Sequence, residues 1–139
     1  MRIWLTPQPA LLGAVTVLEE AFGTYAMVST KLPSRNMPDR FVKVSRIGGR
    51  QDDPVTDRAR ILVECYAKDT ASVEHMCNTA RAAYRNACAT RVAGMWIRWY
   101  GNESGPVDFP HPGIVDRERW QFTADLWIKS NQLATPEPH

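Results

Sequence analysis

Three histidines and three cysteines are the first residues to weigh for chemistry, because a thiolate beside an imidazole is a nucleophile and several of them together hold a metal. Cys65, Cys77 and Cys88 are odd in number and lack a paired short spacing, which argues against a disulfide framework and against zinc. All three fall at apolar positions, so they read as small hydrophobic fillers. His75 and Cys77 lie two apart on a predicted helix and point in different directions. His111 sits between Pro110 and Pro112, and His139 is terminal. Asp52, Asp53 and Asp57 offer oxygen ligands to a hard cation, yet they stand in a turn-like stretch where solvated carboxylates are the ordinary reading. Nucleotide-binding, metalloprotease and nucleophile-elbow patterns are all missing from the sequence, so no enzyme, no cofactor and no metal is expected.

Trp96, Arg98, Trp99 and Tyr100 form an aromatic and basic run that would suit base stacking in a small nucleic-acid-binding module. On a strand, however, Trp96 and Trp99 face opposite sides. One is then expected in the core and the other at an interface, with Trp127 as a second anchor candidate.

Length and composition set the frame for these residues. The chain has 139 residues, 44% hydrophobic and 23% charged, with a formal net charge of +2. That is one domain's worth of core, expected over residues 1–133, with 134–139 as a flexible C-terminal tail. Neither a signal peptide nor an 18-residue apolar run is visible, so a membrane is not expected and folding in a cytoplasm is. Charge is uneven: from Lys31 to Arg60 there are eight Lys or Arg against four Asp. Such an excess is either a solvated face or a surface for an anionic partner.

Periodicity predicts a helix over 10–22 with Leu11, Leu12, Val15, Leu18 and Phe22 on its apolar stripe. A strand over 25–32 follows, then a loop over 33–39. Strands over 41–47 and 59–66 flank the glycine-bearing, charged stretch 46–58, read as a long antiparallel hairpin loop. Asp69 caps a second helix extended to about Arg91. A strand over 95–100, turn residues 101–106, an irregular segment 107–115 and a strand over 119–128 complete the chain. This order predicts an α+β two-layer fold, a mostly antiparallel four- to five-stranded sheet with two helices packed on one face. Arg58, Arg60, Glu64 and Tyr66 would lie on the opposite face.

With these elements in place, the chain resembles the tail terminator proteins of long-tailed bacteriophages, the actinobacteriophage type above all. Arg46-Ile47-Gly48-Gly49-Arg50-Gln51-Asp52-Asp53-Pro54-Val55-Thr56-Asp57-Arg58 is similar to the family's R-x-G-G-x-x-D-x-P-V-x-D loop. Val63-Glu64-Cys65-Tyr66-Ala67 before an alanine-rich helix is the second likeness, although Cys65-Tyr66 stands where a small residue and tryptophan are common. Gly105-Pro106-Val107-Asp108-Phe109-Pro110 followed by the closing strand 119–124 is the third. The resemblance implies a virion protein assembled in the host cytoplasm. It would form a homo-oligomeric, hexameric ring at the head-proximal end of the tail. Such a ring ends polymerisation of the tail tube protein and meets the head-completion or connector protein, while genomic DNA passes through its lumen without specific binding. Another head-tail joining protein would share this size and fold class. Arg46, Arg50, Asp52, Asp53, Asp57, Arg58 and Trp127 are the expected interface residues.

Overall fold

The computed structural model describes residues 4–133, so the expected tail at 134–139 lies outside the described residues. Helix α1 spans Ala10–Phe22, starting after Pro9, whose fixed φ suits a helix entry, and ending at Gly23 with φ of 55°. Its buried face is rotated from the expected stripe. Leu12 is 53% exposed, while Gly13, Ala14 and Val17 turn inward. Small residues are needed there because other elements come close: a Cβ on Gly13 would sit 3.1 Å from the Met95 methyl, and the Tyr84 hydroxyl donates to the Ala14 carbonyl at 2.9 Å.

Helix α2 spans Thr70–Ala87 and begins as expected at Asp69, whose side chain accepts the Ser72 N–H at 2.6 Å. That bond holds the Asp69 carboxyl below its ordinary value. Val73, Met76, Cys77, Ala80, Tyr84 and Ala87 face the core at helical spacing. The helix stops short of the expected Arg91, because Ala89 adopts a positive φ of 61° and the chain turns into a short strand.

The strands are β1 (Trp4–Thr6), β2 (Met27–Ser29), β3 (Phe41–Asp53), β4 (Thr56–Ala67), β5 (Thr90–Val92), β6 (Met95–Asp108), β7 (Glu118–Lys129) and β8 (Asn131–Leu133). Six of them form one sheet in the order β2-β3-β4-β7-β6-β5, while β1 and β8 pair separately. The sheet is therefore larger than the four to five strands expected, and it is mixed, since β2 runs parallel to β3. Only Met27–Ser29 of the strand expected over 25–32 pairs, because that segment has β3 on one side for just three residues.

Two further differences concern turn residues. Gly101 to Pro106 do not end β6; they are absorbed as register shifts against β7, with Asn102 and Gly105 at positive φ. The hairpin loop expected over 46–58 is mostly ladder, and the turn itself is only Pro54-Val55 between Asp53 and Thr56.

Both helices cover one face of the sheet. Val42, Val44, Ala59, Ile61, Val63, Cys65, Phe122, Ala124, Leu126 and Ile128 alternate along β3, β4 and β7 to meet them. Side chains on the other face include Arg58, Arg60, Glu64 and Tyr66, as the alternation predicts. Glu64 and Tyr66 are nevertheless buried, because the segment 109–116 folds back over that end: Arg119 donates to the Phe109 and Pro110 carbonyls and lies over the Phe109 ring.

Candidate interaction surface

Two of the cysteines meet in the core, and the other groups that could have done chemistry are dispersed by the fold. Cys65 on β4 and Cys77 on α2 are both fully buried, and the bond with Cys77, then burial, push the Cys65 thiol well up. A thiol held in that state is a poor nucleophile. His75 is exposed on α2 and meets the edge of the Tyr25 ring, while His111 accepts the Gly113 N–H at Nδ1. Among the described residues no group of three or more His, Cys, Asp or Glu could hold a metal ion. The aspartates of the hairpin diverge as well. Asp52 pairs with Arg50 and Arg58, Asp53 accepts the Val55 N–H at 2.8 Å, and Asp57 takes two bonds from Arg46 at 3.1 and 3.2 Å.

Strands β3 and β4 bring the expected interface residues together in two ion-paired groups. Arg46 and Asp57 point to the helix-covered side, and Arg50, Asp52, Arg58 and Trp127 cluster on the other. Gly49 makes the close pairing possible, since with φ of 112° an added Cβ would lie 2.0 Å from the Arg58 carbonyl oxygen. The hairpin is not a freely projecting loop. β4 is paired with β7 as far as Thr56, opposite Lys129, and Ser130 donates to the Val55 carbonyl at 2.8 Å. What stands open is the outer half of β3, because β2 covers it only at Phe41–Lys43.

Arg46 to Val55 are ten consecutive exposed residues. They include the apolar side chains of Ile47 and Val55, 51% and 44% exposed, among the paired charges. Asp57 differs from its exposed neighbours: at 4% exposed it is an internal partner of Arg46. Trp127 is half-buried and meets Trp99 edge to face at 4.4 Å, with the Arg58 guanidinium 5.5 Å over its ring. Trp99, 51% exposed, lies across Gly101, where a Cβ would fall 2.0 Å from its ring.

Most of the basic excess between Lys31 and Arg60 is neutralised internally. Lys43 pairs with Glu64 at 3.7 Å and Arg60 with Asp125 at 3.0 Å, beside the pairs already named. Arg40 lies over the Tyr25 ring and donates to the Tyr25 carbonyl. Lys31 and Arg35 have no carboxylate partner among the described residues. Arg35 lines a groove of about 370 Å³ between segments 32–37 and 111–116, with Leu32, Met37 and Ile114. Alternation in the sequence gives the faces of Arg58, Arg60 and Glu64. It carries no signal for Asp125 and Arg119 as their partners, because those bonds depend on the register between β4 and β7. No family model matches the chain, and no curated protein matches it.

Proposed function

We propose that this protein is a structural subunit of a phage tail, a terminator that closes the head-proximal end of the tail tube as a ring, most simply a hexamer. The observation that carries this reading is the open outer half of β3, ten exposed residues with apolar side chains set among mutually paired charges. Paired charges around exposed aliphatic groups make a surface that a protein neighbour can cover at low desolvation cost. The dispersal of the His and Asp side chains, with Cys65 and Cys77 shut in the core, supports assembly over catalysis.

A ring needs two different, complementary surfaces on each subunit. The Arg46–Val55 surface and the Arg35-lined groove lie at different ends of β3, since segment 32–37 precedes that strand and Val55 follows it. Head-to-tail contact between neighbours, or contact with the tube on one side and the connector on the other, can use them separately. DNA threading such a ring past β3 and β4 would meet cations that are already paired, which keeps the hold on phosphates weak there.

Cryo-electron microscopy of the virion tests the assignment. The chain is expected as a six-fold ring between tube and connector, and density for it in the baseplate or capsid would overturn the proposal.

A further inference from the structure

The end of the sheet where β5, β6 and the β7–β8 junction meet holds a small recess of about 130 Å³. Its lining includes Arg91, Lys129, Ser130, Asn131, Gln8 and Trp96. Two of these are cations and none is a carboxylate. Neither cation has an ion-pair partner among the described residues; Arg91 instead lies over the Trp96 ring at 5.6 Å. Ser130 is only 8% exposed, and its hydroxyl has no hydrogen-bond partner among the described residues. A buried hydroxyl left unsatisfied is unfavourable, so such a group is itself a pointer to a ligand or an ordered water. The Gln8 and Asn131 amides add neutral donors, and no described group makes a hydrogen bond with either side chain.

The backbone fixes this arrangement. The Ser130 N–H is held by the Val55 carbonyl at 2.8 Å, Arg91 is opposite Trp96 in the β5–β6 pair, and Lys129 is opposite Thr56 in the β4–β7 pair. A tight turn through Ala93 and Gly94, both at positive φ, brings β5 beside β6. The two cations are therefore brought to one recess by two different strand pairings, and an acceptor-rich guest would meet donors from several sides.

We infer that this recess binds a small oxyanion of the phosphate class, with Arg91 and Lys129 supplying charge, Asn131 and Gln8 supplying amide donors, and Trp96 forming one wall. Guanidinium and ammonium groups both bond readily to phosphate oxygens. Such a group can come from free phosphate or from the backbone of a nucleic acid. The recess adjoins the Val55 end of the Arg46–Val55 surface through Ser130 but shares no lining residue with it, and it stands whether or not the chain forms a ring.

Titration of the full chain with inorganic phosphate, followed by calorimetry at constant ionic strength, tests the site. One saturable site with a dissociation constant of about 1–10 mM is expected. Arg91→Ala and Lys129→Ala should each weaken it at least about fivefold, whereas Lys31→Ala, an exposed cation elsewhere, should leave it unchanged. Thermal melting of each variant guards against loss of fold, and Arg91→Lys should restore part of the affinity. A short single-stranded oligonucleotide and a duplex form the second arm. Tighter binding than phosphate, lost with the same two substitutions, identifies a nucleic-acid backbone as the source; no gain over phosphate identifies a free oxyanion. No saturable phosphate binding, equal competition by chloride, or equal loss in the Lys31 variant would overturn the inference.

Discussion

The two ends of the sheet use the same chemistry, arginine bonded to carboxylate, with opposite results. Where β4 ends and β7 begins, Arg119 bonds to Glu64 at 2.9 Å, and the pair is covered by segment 109–116 with Lys43 and the Tyr66 hydroxyl also on Glu64. At the hairpin end Arg50, Asp52 and Arg58 make a comparable cluster, but none of the described segments folds over it. A covered pair must be complete, because removing one partner strands the other in a poor solvent. An uncovered pair can lose a member at little cost. Covering, not pairing, separates a structural cluster from a surface available to a neighbour.

The largest effect that follows is at the covered end. Arg119→Ala leaves the buried Glu64 with Lys43 and Tyr66 alone and frees the Phe109 and Pro110 carbonyls, so a loss of about 3–5 kcal/mol is expected in urea unfolding. Burial already raises the Tyr66 hydroxyl pKa, even though Arg119 opposes that rise. A loss under about 1 kcal/mol would mean that the cover is loose and that the contrast between the two ends fails.

Asp57 and Asp53 sharpen the contrast within a single hairpin. Asp57→Ala removes both bonds to Arg46, whose side chain can turn partly to water, and a loss of about 1–3 kcal/mol is expected. Asp53→Lys gives up one bond to the Val55 N–H at an exposed site and should stay within about 1 kcal/mol. On the proposed function the Asp53 variant weakens subunit association while its melting curve hardly moves. Gel filtration and denaturant curves run side by side distinguish the two; equal destabilisation would place both aspartates in the same structural role.

How far these two residues could be told apart beforehand marks what the sequence makes legible. The α+β class, α2 with its Asp69 cap, and the alternation of β4 and β7 all follow from local pattern, because each depends on neighbours within one element. Asp52, Asp53 and Asp57 look alike in sequence. Their fates differ because β7 pairs with β4 up to Lys129 opposite Thr56, a long-range register that no local pattern encodes. The same reason hid the length of β6: Gly101, Gly105 and Pro106 carry turn chemistry, and only the neighbouring β7 converts them into register shifts. The rotated face of α1 was hidden by a packing need, the close approach of Met95 to Gly13.

A third arginine cluster lies between the extremes and makes a pH test. Glu103 on β6 accepts bonds from Arg81, Arg85 and the Tyr100 hydroxyl, tying α2 to the sheet. Burial alone would raise the Glu103 carboxyl, but bonds from Arg81 and Tyr100 and the charges of Arg81 and Arg85 outweigh it and hold the group below its ordinary 4.5. A depressed carboxyl adds stability above its unfolded-state value and loses it as pH falls through the folded one. The parent should therefore weaken below about pH 4.5 by more than Glu103→Gln does, by about 0.5–1 kcal/mol given the nearby solvent. Identical acid limbs for the two proteins would show that Glu103 is not held as a charged clamp.

The smallest effect belongs to the uncovered end and concerns posture more than stability. Trp99 rests over Gly101 and against Trp127, so its exposed ring is held in one place without being buried. Gly101→Ala puts a methyl where the ring lies. At a covered site such a clash would force backbone movement, but here the ring can swing into solvent, and the expected cost is only about 0.5–1 kcal/mol. Tryptophan fluorescence should shift to the red as Trp99 gains water, with the unfolding midpoint nearly constant. A large drop in stability with an unchanged spectrum would mean that the ring cannot leave, and that this end of the sheet is as tightly closed as the Glu64–Arg119 end.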